Sequence, residues 1–598
     1  MKSVYRNLVS FQKAIELVNE MMSPVAAWEK VSLSQASGRI SYIDVVSRMS
    51  IPPFNRSTMD GYAVRAEDLL IQTGGKPARL RVTGSVSIGE IPNGRINSGE
   101  CMRISTGAIL PEGSDAVVRI EDTREDGSFV SILEGVGTGE NIAESGSDSA
   151  EGSLIISRGH VVQPHEVAVL ASLGISELQV FRKLKISVIS TGNELIPAGS
   201  PYTPGKVYDS NSHMVFSTLS AFNFLDTKNE GLAPDDWNRL ETAIKSSLEG
   251  SDMVILSGGS SAGEADLVYR IIGNMEPGII FHGVLAKPGL PTVFGMNGSK
   301  AVIGLPGFPV SAAMILRSIF LPGIIRMAGG SYPGEMLTTR LGARLNLEIG
   351  KQNLIPARLG SSAVYPVTGL SGSISRFLET TGYLSLPGTS KFLEEGSKVN
   401  YIPWPGNFWQ QNMQLIGTID SLNITAIRDA LPETLLSYGE PETALSMLRY
   451  NDASNVILRV SGQESDIPQI IGIPNEEKMV AFLVAGYHIA VKYGDNYLKI
   501  DELDKLPESV KILGPPLKSL DRIMGKSQEE KNFLSSLRRN LTRYYTGNSQ
   551  ADIRIEIGDG NDTSHSIMIF HDVIVSRETG NNILEQLRKK FTQIRKRA

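Results

Sequence analysis

The stretch from Ser251 to Met314 constrains the fold more than any other part of the chain. It holds two short apolar runs, Met253 to Leu256 and Ala301 to Ile303, and each breaks into a glycine-rich polar segment followed by helix-like sequence. Short runs without polar alternation, separated by helices, belong to a parallel α/β sheet whose loops gather at the carboxyl ends of its strands, where ligands bind. Gly258 and Gly259 lack a Cβ and accept positive φ, so their amides can approach a phosphate or a planar ring, with Ser260 and Ser261 as extra donors. Asp266 follows where a helix should begin, a position that suits a cap or a hydrated cation. Read alone, the same glycine-serine stretch also fits an ordinary connection between strand and helix. Lys287, Pro288 and Gly289 then set a cation in a stiff turn, and Pro306, Gly307 and Pro309 form an elbow ahead of a helix.

At 598 residues the chain is too long for one core and predicts four or five domains. A net charge of -6 argues against general nucleic-acid binding. Cys101, the one cysteine, cannot form an internal disulfide and fits a reducing compartment; packing in a strand suits it better than nucleophilic attack. The seven histidines lack metal-ligand spacing. The longest apolar run, Met479 to Val491, is too short to span a bilayer, so a cytoplasmic protein is expected.

Along the chain, Ile15, Val18 and Met22 recur at helical spacing for a packing or assembly helix. The segment from Pro52 to Val64 is rich in turn formers, and within it Asp60 reads either as an oriented carboxylate or as a turn cap. Short alternating stretches between Arg79 and Gly135 predict a small β-rich module in which Thr106 ends a strand, as a ligand donor or as a cap. Asp148 lies in an acidic Gly/Ser loop, which can be a solvated loop or an acid-base position. Ile186 to Ile189 predict a buried strand ending at Glu194; Asp209, Ser210 and Asn211 signal a helix start, and Pro234, Asp235 and Asp236 open another helix with Leu240, Ile244 and Leu248 on one face. Glu194, Asp235, Asp266 and Lys287 are thereby expected at one sheet edge, a set suited to a phosphorylated ligand with a divalent cation. From Gly329 to Trp404 the texture is β-like, with Arg358, Ser371 and Ser373 as anion donors or scaffold. Pro403, Pro405 and Gly406 mark a linker, after which strands alternate with helices up to a basic amphipathic end, Arg588 to Arg597.

Seven stretches in this order, STMDGYAVRAEDL, CMRISTGAILPEGSDAVVRIED, ENIAESGSD, VISTGNEL, VILSGGSSAGEAD, LAKPGLPTVFG and GLPGFPVSAAM, resemble the MoeA family of molybdopterin molybdenumtransferases, related to the E domain of gephyrin, over about the first 400 residues. The resemblance implies a multidomain α/β plus β fold of elongated shape. It places domain I at 1–50 and 146–180, β-rich domain II at 51–145, a parallel-sheet molybdopterin-binding domain III at 181–327 and β domain IV at 328–404. Residues 405–598 lie outside it; their GTIDSLN opening is similar to periplasmic-binding-protein and LysR-effector lobes, which some archaeal relatives carry, with a helix start at Ser421 for an oxyanion.

The resemblance further implies insertion of molybdate or tungstate into adenylylated molybdopterin with release of AMP, assisted by Mg2+. It assigns catalytic positions to Asp60, Asp148, Glu194, Asp235 and Asp266, with Asp60 and Asp266 on the metal. It assigns binding or loop-shaping positions to Thr106, Gly258, Gly259, Ser260, Lys287, Pro306, Pro309, Arg358, Ser371 and Ser373. A homodimer whose active site is shared between subunits, with Asp60 and Thr106 acting in trans, is expected, as are contacts with other cofactor-biosynthesis proteins and none with nucleic acid or membrane. Three residues depart from the family pattern: Ala143 for arginine, Leu290 for a second lysine and Phe308 for asparagine. Two rival functions remain from sequence: a molybdopterin adenylyltransferase, and a weakened oxyanion-sensing scaffold.

Overall fold

The computed structural model describes residues 8–70, 77–258, 267–331, 336–360, 362–367 and 372–404, and beyond these a set of strands between 415 and 577. The apolar runs form the centre of a six-stranded sheet in the order Leu225–Ala233, Leu184–Thr191, Met253–Ser257, Lys300–Leu305, Val293–Asn297, Pro277–His282. The first four strands run parallel. The last two are antiparallel to their neighbours, so the sheet expected to be parallel is mixed. The reason is local: Gly298, at φ +59°, closes a two-residue turn between Asn297 and Lys300, and so short a connection can only join antiparallel strands.

Helices cover the sheet as the sequence spacing predicts. Trp237–Gly250 begins at Asp236, whose side chain accepts from the Arg239 amide, and buries Leu240, Ile244 and Leu248. From Pro309 to Met327 runs one helix with a π turn, Leu316–Phe320, in its middle. That turn ends two residues before Pro322, which has no N–H to continue the regular ladder, and the wider turn accommodates the gap. Among the described residues this helix is long and apolar enough to cross a membrane, but 83% of its apolar window is buried in the core, which accounts for its composition.

The N-terminal helix Phe11–Met21, capped by Ser10, lays Ala14 and Val18 into the same core as Phe320 and Ile324. The strand before it, Val9–Ser10, pairs with Val284–Lys287, which pairs in turn with Gln352–Leu359. A seven-stranded sheet therefore runs across the division drawn at residue 328, joining the chain start, a segment of the 181–327 region and the β domain at 336–404.

Two further units complete the described part. Trp28–Ser32 pairs with Glu177–Phe181 and Val45–Val46 with Leu154–Ile156, linking the chain on either side of the β-rich module. The module is a six-stranded sheet that includes Gly61–Val64 and Glu100–Ile104. Cys101 is fully buried in it, and burial pushes its thiol up to about 12, which removes it as a nucleophile.

Beyond residue 404, strands expected at Asn455–Ser461, Met479–Tyr493 and Met568–Arg577 are present in a nine-stranded mixed sheet. The expected helices at Ser421 and at the basic end lie outside the described residues.

Candidate functional site at the carboxyl edge of the central sheet

Three strand ends and two loops meet at one edge. Gly258 follows Met253–Ser257 at φ +95°, and a Cβ there would lie 2.0 Å from the Thr191 carbonyl oxygen, so only glycine lets these two strand ends touch. Gly307 stands 3.8 Å from the Gly258 Cα by the same measure. Asn211, 8% exposed at the start of the helix Asn211–Ser220, ties the loops together: its Nδ2 donates to Ser257 Oγ at 2.8 Å and to the Gly307 carbonyl at 2.7 Å. Asp209 accepts from Ser190 Oγ and from the Ser212 amide, which fixes the base of that helix.

Against this satisfied frame stand three side-chain atoms that are buried and lack a hydrogen-bond partner: Thr191 Oγ1, Asn211 Oδ1 and Asp235 Oδ1. Buried polar atoms are normally paired, and leaving one unpaired costs about 1–3 kcal/mol. All three residues stand at or just beyond the carboxyl ends of parallel strands, the edge at which sheets of this kind bind ligands. Asp235 also lies in the field of Glu194: burial first, and that neighbouring carboxylate second, raise its pKa. Sequence reasoning treated Asn211 as part of a helix cap and passed over Thr191; the usable signal was two polar residues beyond what a strand end and a cap require.

The predicted site residues fall into separate groups. Glu194, Asp235, Gly258, Pro306 and Pro309 share this edge, and Ser373 adjoins it, since a Cβ on Gly372 would sit 3.4 Å from the Phe308 ring. Asp60 and Thr106 form a second group in the β-rich module: the Thr106 amide donates to Asp60 Oδ1 at 2.8 Å. Asp148 is exposed in a loop whose backbone bonds to Ile51, at the start of the segment leading to Asp60. Asp266, Gly259, Ser260 and Ser371 lie outside the described residues.

One expectation is corrected, and for a second residue the structure favours one of two readings. Lys287 does not stand on the central edge: its strand belongs to the seven-stranded sheet, where its amine is paired with Glu348. Lys287 and then Lys351 hold the Glu348 carboxyl below its usual range. Arg358, read as an anion donor or as scaffold, is 3% exposed within the β domain, with Nε donating to the Glu379 carbonyl at 2.6 Å, which favours the scaffold reading. Burial pushes its guanidinium down to about 10, so it anchors the Ile374–Glu379 turn from inside rather than meeting solvent.

A cation fits the first group better than the second. Glu194 and Asp235 are two carboxylates in each other's field, with a buried oxygen unpaired, and Mg2+ usually takes one or two carboxylates while keeping water or phosphate as its other ligands. Among the described residues no cluster of three or more His, Cys, Asp or Glu is present.

Fold and edge together define a multidomain α/β protein with a polar ligand site at a sheet switch and β-rich units around it. The chain belongs to the MoeA family: residues 9–174 match the MoeA N-terminal region (domain I and II), 187–326 a probable molybdopterin binding domain, and 338–404 the MoeA C-terminal region (domain IV). It is 35% identical over 303 residues to a molybdopterin molybdenumtransferase of Haemophilus influenzae, covering 50% of this chain and 73% of that one. A molybdopterin molybdenumtransferase of Bacillus subtilis is 29% identical over 385 residues, 62% of this chain and 89% of the relative. The crystal structure of a molybdopterin biosynthesis MoeA protein from Pyrococcus horikoshii superposes with a TM-score of 0.61 at 32% identity, covering 67% of this chain and all of that one.

Proposed function

We propose that this protein is a molybdopterin molybdenumtransferase of molybdenum cofactor biosynthesis, which takes adenylylated molybdopterin and molybdate or tungstate, completes the cofactor and releases AMP. The observation that carries the reading is the sheet edge, where Thr191, Asn211 and Asp235 present unpaired buried polar atoms within the segment that matches the molybdopterin binding domain. The flanking matches to domains I, II and IV favour insertion over adenylylation or sensing.

Breaking the phosphoanhydride between AMP and the pterin phosphate requires that charge be offset and that the leaving phosphate be held in place. The Gly258 and Gly307 backbones, locked by Asn211, shape the floor on which the pterin and its phosphate rest. Thr191 Oγ1 and Asn211 Oδ1 offer a donor and an acceptor to the ligand's polar edge. Glu194 and Asp235 would hold Mg2+, which supplies charge neutralisation at the phosphates. Without that charge, burial first and Glu194 second raise the Asp235 pKa, so a bound cation would offset the repulsion between the two carboxylates.

Three finer readings belong to the same proposal. Asp60 and Thr106 act on the edge of a partner subunit in a homodimer, a reading consistent with their place in the β-rich module and not on the central sheet. The protein works in the cytoplasm. The unit after 404 is a periplasmic-binding-protein-like α/β domain, a reading that rests on its GTIDSLN opening.

The test is AMP release from adenylylated molybdopterin by purified protein with Mg2+ and molybdate or tungstate. Cofactor formation coupled to AMP supports the reading; ATP consumption with molybdopterin alone, or oxyanion binding without turnover, overturns it.

A further inference from the structure

A single exposed aromatic ring is ordinary on a protein surface, so what matters about Phe308 is how it is held. The ring is 61% exposed although its backbone is fixed on both sides. Before it, the Gly307 carbonyl is gripped by Asn211 Nδ2 at 2.7 Å. After it, Pro309 opens the long helix and the Phe308 carbonyl accepts from the Ala312 amide at 2.9 Å. One edge of the ring faces Gly372, whose Cβ, if present, would lie 3.4 and 3.5 Å from Cδ1 and Cε1; glycine leaves the ring room there without covering it. Burying a phenylalanine is favourable, and this one is displayed by a locked elbow instead.

The second observation lies one residue away. Asn211, which grips Gly307, keeps Oδ1 buried and unpaired, and Thr191 Oγ1 is unpaired at the neighbouring strand end. An exposed π face one residue along the chain from a carbonyl held by Asn211, whose own oxygen is unmatched, suits a planar nitrogen heterocycle, which has a face to stack and an edge of N–H groups and ring nitrogens to pair.

We propose that Phe308 is a stacking platform for the planar nitrogen heterocycle of the ligand, and that with Asn211 it forms a ring-recognition subsite at the junction of the central sheet and the β domain. This rests on the functional reading above, and the ring it takes is the adenine or the pterin of the adenylylated substrate.

The test uses the full chain, wild type and the variants Phe308→Leu and Phe308→Trp, in equilibrium binding of AMP, of 6-hydroxymethylpterin followed by its own fluorescence, and of ribose 5-phosphate as a ligand without a planar ring. Phe308→Leu is expected to weaken at least one ring-bearing ligand by roughly tenfold or more while Phe308→Trp keeps it, with ribose 5-phosphate unchanged throughout. Loss for AMP alone assigns adenine, and loss for the pterin alone assigns the pterin. Wild-type affinity of Phe308→Leu for both rings overturns the platform, as does an equal loss for ribose 5-phosphate, which would report a distorted elbow. If wild-type protein turns over adenylylated molybdopterin but Phe308→Leu binds normally, only the platform falls; if wild-type protein binds neither ring, the site reading falls with it.

Discussion

Asp235 is where stability and chemistry oppose each other. Its pKa is raised in the folded chain, so the folded state binds a proton more tightly than the unfolded state does. Stability from this group is therefore full below the unfolded carboxyl value, about 3.9, and declines as pH rises through the folded value. Asp235→Asn should abolish or strongly depress AMP release and yet raise the thermal midpoint at pH 7 by about 1–2 °C, a gain that shrinks towards zero as the pH is lowered through the carboxyl range. Calorimetry of both proteins between pH 3 and pH 8 measures it; a lower midpoint for Asp235→Asn at neutral pH would contradict the stated burden. The residue scale is also where sequence reading succeeded least evenly. Glycines and prolines announce backbone shape, so Gly258, Pro306 and Pro309 were legible at the edge. Arg358 was not, because nothing local distinguishes an arginine that anchors a turn from inside a sheet from one that meets solvent. Lys287 was misplaced because its partner Glu348 lies 61 positions on.

Among the elements, the contact between the N-terminal helix and the end of the long core helix is the tightest helix approach that a single atom can probe. A Cβ on Gly323 would lie 2.5 Å from Val18 Cγ1 and 3.2 Å from Met22 Sδ. Gly323→Ala should force the helix Phe11–Met21 outward and cost about 1–3 kcal/mol, read as a lower denaturant midpoint with an unchanged slope. The apolar spacing of Ile15, Val18 and Met22 made the helix visible, while its partner was hidden in the composition of Pro309–Met327. The strands were visible for the same reason, yet their directions depended on one turn: Gly298 decides that Val293–Asn297 runs backwards, and an isolated glycine between two apolar runs gives that information only when loop length is weighed with it.

For the whole molecule, the two acidic groups define a test of assembly. If Asp60 serves the edge of a partner subunit, Asp60→Ala and Asp235→Asn chains, each inactive alone, should regain about a quarter of wild-type turnover per subunit after mixing and subunit exchange, since half the dimers are mixed and each carries one intact site. No recovery in dimers shown to exchange would place both groups on one chain's site. The boundary at 404 makes a second prediction. Trp404 closes the β domain: its amide donates to the Thr381 carbonyl at 3.0 Å, its Nε1 to Thr380 Oγ1 at 3.0 Å, and it packs on Tyr383 and Phe377. A chain ending at Trp404 should fold with measurable AMP release, whereas one ending at Lys398 should lose its cooperative melt.

The seven-stranded sheet carries a lesson for recombination. Cutting a relative's fourth domain at residue 328 and grafting it elsewhere would take only five of the seven strands, leaving Val9–Ser10 and Val284–Lys287 behind and baring the parallel flank of Gln352–Leu359. Chimeras between members of this family should therefore aggregate when the seam passes through this sheet.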